Sequence, residues 1–269
     1  MNNKIGVIGC GWLGLPLAES LIDQGYEVNG TSTSEEKLAL LKERGIVPFH
    51  ISLSENGISG NIDGFLDSLN ILVINIPPKL RGKGPKESYI SKIELLHKAI
   101  KKSQVRKIIF ASSTAVYGDA KGVITEQTEP KPNTESGIQL LQCEELLKND
   151  PELQTTIIRF GGLIGPTRHP VTMLSGRENL SGGDAPINLI HLVDCIGIIK
   201  TIIEHQHFND VLNAVYPAHP TKKEYYTKEA LKRGIAAPQY TSPSGKTDKL
   251  IIFCSPFLIN EFKFLTTIN

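Results

Sequence analysis

Along the first 160 residues, apolar positions recur with two alternating periods, short continuous runs followed by a spacing of three to four. Ile5–Ile8 is a run of strand type that empties into Gly9-Cys10-Gly11-Trp12-Leu13-Gly14. Leu13, Leu17, Leu21 and Ile22 then repeat at helical spacing until Gly25, which predicts a helix ending there. Tyr26–Thr31 reads as a second strand, Ser34–Arg44 as an amphipathic helix closed by Gly45, and Val47–Leu53 as a third strand. Ile71–Ile76 is apolar almost throughout, the pattern of a central parallel strand buried on both faces, and it stops at Pro77-Pro78. Ser88–Lys102 follows as helix and Lys107–Ala111 as the fifth strand. This alternation predicts an α/β protein with a Rossmann-type doubly wound parallel sheet.

Beyond it, Gly118 to Thr134 is polar and rich in Pro and Gly, and reads as a loop. Ser136–Lys148 reads as helix and Thr155–Arg159 as a sixth strand. Past Gly165-Pro166 the rhythm weakens. The expected division is therefore a dinucleotide-binding domain over 1–165 and a smaller substrate lobe over 166–269. That lobe should be partly discontinuous, because Leu192–Glu204 and Val211–Val215 have the pattern of elements that return to the main sheet.

Composition narrows the partners. A formal charge of +1 supplies no field to attract nucleic acid or an anionic membrane. Cys10, Cys143, Cys195 and Cys254 are scattered, with no CxxC and no histidine pairing at metal spacing, so they read as reduced thiols and no metal site is expected. Met-Asn-Asn-Lys leads straight into the first strand, which leaves no room for a signal peptide. The most apolar stretch, Ile187 to Ile203, is interrupted by Asn188, His191, Asp194 and Lys200 and cannot span a bilayer. The expectation is a cytoplasmic protein that meets a small-molecule substrate.

Chemistry concentrates first in the glycines. In strand–Gly9-x-Gly11-x-x-Gly14–helix order, Gly9 permits a tight turn, Gly11 lets the backbone approach a pyrophosphate, and Gly14 lets helix and strand pack closely. The amides of Trp12 and Leu13 at the helix start then face phosphate charge. Ile76 and Pro77 end the fourth strand, and Ala111 and Ser112 the fifth, so all four should border the cofactor crevice. NAD sites place an acid at the end of the second strand, where this chain has Thr31-Ser32-Thr33-Ser34 and no acid before Glu35. Small hydroxyls at a helix start, with Lys37 nearby, suit a 2′-phosphate, whereas Glu35 and Glu36 oppose it. The balance favours NADP slightly over NAD.

Strand five runs on into Ser112-Ser113-Thr114-Ala115-Val116-Tyr117-Gly118, and here the chain resembles the extended short-chain dehydrogenase/reductase superfamily, the NAD(P)-dependent epimerases and dehydratases. Ile158-Arg159-Phe160-Gly161-Gly162-Leu163-Ile164-Gly165-Pro166, Asn188 to Asp194, and the tail with Gly245-Lys246 and Glu261 to Phe264 are similar to that family's later landmarks. Together with Gly165-Pro166-Thr167-Arg168-His169-Pro170, the motifs look like an atypical branch, the YeeZ-type proteins. The resemblance aligns Ser113 with the catalytic Ser/Thr that hydrogen-bonds substrate, and the alternative is a hydroxyl that satisfies backbone at a strand end. The resemblance puts Thr114 where dehydratases carry an acid. Arg168-His169 follows Gly165-Pro166 in the expected substrate-pocket wall, where it reads first as an anion-binding or structural pair, His169 being an alternative proton carrier.

One departure stands out. Family members carry Tyr-x-x-x-Lys at the start of the helix after strand five. In this chain the helix reads Ser136-Gly137-Ile138-Gln139-Leu140, so serine stands for the tyrosine and leucine for the lysine. The tyrosine moves the proton, and the lysine lowers its pKa and holds the nicotinamide ribose. Tyr117 and Lys121 repeat the spacing, but Gly118-Asp119 and Gly122 argue against the helix that would bring them together. Two readings follow, an oxidoreductase or epimerase-like enzyme with an atypical site, and a dinucleotide-binding sensor or scaffold without chemistry. Tyr117, His191 and Asp194 read as structural. The basic loop of Lys79, Arg81, Lys83 and Lys86 reads first as a solvated loop, and its place after the fourth strand also suits contact with cofactor phosphates or an anionic substrate.

Overall fold

The structure is a computed structural model that describes residues 3–80, 86–241 and 248–268. In chain order its strands are β1 (Lys4–Ile8), β2 (Glu27–Ser32), β3 (Val47–His50), β4 (Ser52–Ser54), β5 (Gly57–Ser59), β6 (Ile71–Ile74), β7 (Lys107–Ser113), β8 (Gly122–Ile124), β9 (Gln154–Phe160), β10 (Gly162–Ile164), β11 (Leu189–His191), β12 (Val211–Ala214) and β13 (Lys249–Ile251). Its helices are α1 (Gly14–Asp23), α2 (Glu35–Glu43), α3 (Ile62–Leu66), α4 (Tyr89–Lys102), α5 (Glu135–Lys148), α6 (Pro170–Leu174), α7 (Leu192–Glu204), α8 (Lys222–Lys232) and α9 (Pro256–Glu261).

Seven parallel strands form the main sheet in the order β12-β9-β7-β6-β1-β2-β3. The winding reverses between β1 and β6, which opens a crevice beyond their carboxyl ends. Ile71 to Ile74 of β6 are all buried, as their unbroken apolar run requires, because helices cover both faces. On one face Ile93, Leu96 and Ile100 of α4 and Leu140, Cys143 and Leu147 of α5 pack on Ile108 and Phe110. On the other, Leu17 and Leu21 of α1 and Ile198, Ile199 and Ile202 of α7 pack on Val7, Val73 and Ile158. Each such side chain contributes about 1.5–3 kcal/mol by leaving water. A third, smaller core joins Ile164, Val171, Ile187, Leu189, Tyr225 and Tyr226, and holds α6 and α8 beside the sheet.

Two local expectations are corrected. The third strand stops at His50, because Ile51 turns into the core at 3% exposure, and Ser52–Ser54 doubles back as a hairpin on Gly57–Ser59. Within Gly118–Thr134, β8 forms a parallel pair with β13, and Lys249 stands opposite Gly122. Among the described residues no helix is long and apolar enough to cross a membrane.

Candidate active site

The glycine turn connects β1 to α1 with a different constraint at each glycine. Gly9 has φ +101°, and a Cβ there would lie 2.6 Å from the Asn75 carbonyl oxygen. A Cβ on Gly14 would lie 2.2 Å from the Gly9 carbonyl oxygen, so α1 begins in contact with the turn. At Gly11, which is exposed, an added Cβ would meet nothing within 4 Å. The turn is therefore closed on its inner side and open on its outer side. The N-cap residue Leu13 offers no side-chain acceptor to the helix. The Trp12 and Leu13 amides have no backbone partner among the described residues, and unpaired amides at a helix start attract anionic oxygen. These residues fit a diphosphate.

Thr31 and Ser32 have local partners. The Gly9 N–H donates to Thr31 Oγ1 at 2.9 Å, and the Cys10 N–H donates to the Thr31 carbonyl at 3.0 Å. Thr31, 3% exposed, thus fastens the turn from beneath. The Ser32 hydroxyl donates to the Ser34 carbonyl and accepts from the Ser34 N–H, while Thr33 is exposed. Burial pushes the Cys10 thiol up to about 12, so it remains protonated inside the turn. Ile76 accepts a bond from the Tyr89 hydroxyl at its carbonyl, Pro77 is exposed, and Ala111 is half-buried.

Ser113 is half-buried at the end of β7 and caps the 3₁₀ turn Thr114–Tyr117, its Oγ accepting from the Ala115 N–H at 3.2 Å. Its hydroxyl proton is thereby left to donate elsewhere. Thr114 is 9% exposed within that turn. Gly137, at whose position a Cβ would lie 2.8 Å from the Ala115 carbonyl oxygen, brings the start of α5 against it. Thr134 caps α5, Ser136 stands half-buried on its first turn, and Leu140 is 3% exposed inside the core with α4.

Ser112 points away from Ser113, as successive strand residues must, and donates to Glu144 of α5 at 2.5 Å. Arg159 of β9 pairs with Glu144 (Nη2–Oε2 2.6 Å) and donates to the Tyr117 hydroxyl at 2.9 Å, which donates to Asn213 at 2.9 Å. Burial opposes the Arg159 charge, but the bonds to Glu144 outweigh it and hold its pKa above the ordinary value. Tyr117 is fully buried and its pKa is raised by that burial, and Lys121 is exposed, so the two do not form a pair. The sequence reading passed over this network. Its signal was a glutamate and an arginine at positions whose neighbours, Cys143, Leu147, Ile158 and Phe160, are all core.

Sequence reasoning put Arg168 and His169 together in a pocket wall, and the structure separates them. Exposed Arg168 lies over the Trp12 ring, 5.2 Å from its centroid. His169 is 6% exposed and faces the small third core, where its Nδ1 accepts from the Val171 N–H and its Nε2 meets the Tyr225 hydroxyl at 3.0 Å. Burial, assisted by Arg233, pushes its pKa down to about 4. A neutral ring already engaged at both nitrogens is ill-suited to proton transfer in the crevice. His191 caps α7, and Asp194 accepts from the Leu265 N–H and the Thr266 hydroxyl, which anchors the tail. Lys79 and Lys86 are exposed, and Arg81, Lys83, Gly245 and Lys246 lie outside the described residues. Among the described residues no three His, Cys, Asp or Glu side chains converge as a metal site.

Comparison with known proteins places these features. The sequence profile of the NAD dependent epimerase/dehydratase family matches residues 86–215, and that of the NAD binding domain of 6-phosphogluconate dehydrogenase matches residues 4–75. Protein YeeZ of Escherichia coli K12 is 34% identical over 247 residues, 90% of this chain and 89% of that protein. A functionally unknown conserved protein of Silicibacter pomeroyi superposes with a TM-score of 0.77 at 20% identity, over 99% of this chain and 95% of its own. The UDP-glucuronic acid 4-epimerase of Bacillus cereus, solved with NAD, superposes with a TM-score of 0.76 at 18% identity, over 95% and 89%.

Proposed function

The chain belongs to the NAD-dependent epimerase/dehydratase family, beside the YeeZ proteins, and from that premise we propose that it is an NAD(P)-dependent oxidoreductase or epimerase-type enzyme with an atypical site. Its substrate is a small polar or nucleotide-linked molecule. The observation that carries the reading is the asymmetric glycine turn, closed at Gly9 and Gly14 and open at Gly11. The Trp12 and Leu13 amides hold the cofactor's diphosphate there, while Ile76, Pro77 and Ala111 border it. Once bound, the nicotinamide supplies a hydride acceptor and donor. With no carboxylate between Thr31 and Ser34 to take a ribose 2′-hydroxyl, NADP(H) binds at least as tightly as NAD(H).

The chain's own contribution to the chemistry centres on Ser113. Its Oγ already accepts from Ala115, so its proton is directed outward, toward a substrate oxygen. No base adjoins it in the bonds described, so Ser113 orients substrate, and the proton moves through water or the substrate itself. Ser136 in the tyrosine's place is a poor acid, and Leu140, buried in the core, supplies no cation to activate it. That same burial favours a second reading, a sensor that binds dinucleotide without turnover.

A panel of sugar-nucleotide epimerase and dehydratase substrates tests the proposal on wild type, Ser113→Ala, His169→Ala and Ser136→Tyr/Leu140→Lys. Wild type is expected to turn over these standard substrates negligibly, since general acid–base catalysis typically contributes about 10²–10⁴-fold. Metabolite pools that change the absorbance of bound reduced nicotinamide, in a Ser113-dependent way, identify an enzyme, and silence identifies the sensor. Vigorous turnover of the standard panel that survives loss of both Ser113 and His169 would overturn the account.

A further inference from the structure

Arg168 belongs to the lobe by chain position, yet its guanidinium lies on the glycine turn of the main domain. Three features hold it there. The loop is closed by paired backbone bonds, Gly165 N–H to the Arg168 carbonyl (2.8 Å) and Arg168 N–H to the Gly165 carbonyl (3.2 Å). A Cβ on Gly165 would lie 2.8 Å from Trp12 Cζ2, so glycine at this position lets the indole slide beneath the loop. His169, next in sequence, is bonded to Val171 and Tyr225 and anchors the loop in the lobe core. The result is an exposed cation 5.2 Å above the Trp12 ring, with no carboxylate paired to it among the described residues. Trp12 itself stands between exposed Gly11 and the first turn of α1, where anionic oxygen would be received.

We propose that Arg168 is a clamp for the dinucleotide's diphosphate, delivered by the lobe and shelved on Trp12, so that cofactor binding ties the lobe to the sheet. The inference rests on the dinucleotide reading above. A guanidinium suits the task because its planar fork reaches two phosphate oxygens while its face stays on the indole. His169 then acts as a positioning residue for the arginine, which accounts for its burial in a loop otherwise exposed from Pro166 to Arg168.

The test uses the chain's single tryptophan as reporter. NADPH, NADH, ADP-ribose and UDP are titrated by calorimetry into wild type, Arg168→Ala, Arg168→Lys and Trp12→Leu, and Trp12 emission is followed with oxidised dinucleotide. Loss of the arginine is expected to weaken NADPH, NADH and ADP-ribose about tenfold and leave UDP unchanged, with lysine recovering only part. The loss should shrink at high salt, which screens an exposed charge. Trp12→Leu should weaken the same three ligands although the charge remains, and the emission change in wild type should be altered in Arg168→Ala. Unchanged affinity for NADPH, NADH and ADP-ribose in a folded Arg168→Ala protein overturns the clamp. Weakening of UDP alone assigns Arg168 to substrate and overturns it too. Failure of wild type to bind any dinucleotide defeats the underlying reading, a result distinguishable from both.

Discussion

Gly11 and Gly14 lie three residues apart and should respond to alanine in opposite ways. At Gly14 the new Cβ would be 2.2 Å from the Gly9 carbonyl oxygen, 3.0 Å from its carbon and 3.1 Å from Asn75 Nδ2. Two of these are backbone atoms, and Gly9 is itself held, its N–H by Thr31 and its carbonyl by Asn75. The turn cannot yield alone, so α1 must back away from the sheet that buries Leu17 and Leu21. Overpacking of this kind costs about 1–3 kcal/mol, and Gly14 opens the helix, where the interior propensity gain of alanine does not apply. At about 2–4 °C per kcal/mol for a chain of this size, Gly14→Ala should melt about 2–12 °C below wild type. Gly11→Ala meets nothing within 4 Å and needs no left-handed φ. It should melt within about 2 °C of wild type, the range of a neutral surface change. Gly11→Val should do the same, yet lose dinucleotide. Two charge-assisted bonds to the Trp12 and Leu13 amides at about 1.5–3 kcal/mol each correspond to at least a hundredfold in affinity. Thermal melts with calorimetric titration of NADPH separate the two effects. A Gly14→Ala protein as stable as wild type, or a folded Gly11→Val protein with unchanged affinity, would refute the assignment of roles.

NADP(H) should bind no more weakly than NAD(H) in parallel titrations, and a thirtyfold preference for NAD(H), about 2 kcal/mol, would implicate Glu35 as the missing ribose acid. Glu144→Ala leaves Arg159 charged and buried and should cost about 3–5 kcal/mol, whereas Glu144→Met/Arg159→Met should recover part of it in denaturant melts. A double variant no more stable than Glu144→Ala would contradict the cost assigned to the unpaired Arg159 charge. His169 titrates near 6.5 unfolded but at about 4 folded, so below pH 6.5 the unfolded chain takes up the extra proton. Stability should therefore fall as pH drops from about 6.5 to about 4, by at most about 3 kcal/mol, and level off below. His169→Asn, which can still cap α6, should flatten that limb, and identical pH profiles for the two proteins would contradict the folded value.

The main sheet was legible because each of its strands carries its own signal. Ile71–Ile74 needs no partner to be recognised, and Leu192–Glu204 has the bounds that its apolar spacing gave. The glycine turn was legible for the same reason, its three glycines and flanking elements lying within the twenty residues from Lys4 to Asp23. What escaped depends on partners distant in sequence. β8 has three residues, and its register exists only against β13, 127 residues away at Gly122 and Lys249. Thr31 was read for its polarity, as a cofactor ligand, but that hydroxyl is used 22 residues back, on Gly9. Ser112 was placed in the crevice from its position at a strand end, yet the strand's alternation turns it toward Glu144. His169 was read beside Arg168, and the sharp loop at Gly165 sends the two side chains in different directions. Adjacency in sequence predicted adjacency in space least well where loops turn tightly.

The most direct measurement of the central claim is calorimetric titration of the purified wild-type chain with NADPH, NADP⁺, NADH and NAD⁺, with Gly11→Val as the matched control. The account predicts saturable binding of one dinucleotide per chain, lost in the control at unchanged melting temperature. Absence of binding for all four, or binding that the valine leaves intact, would contradict it.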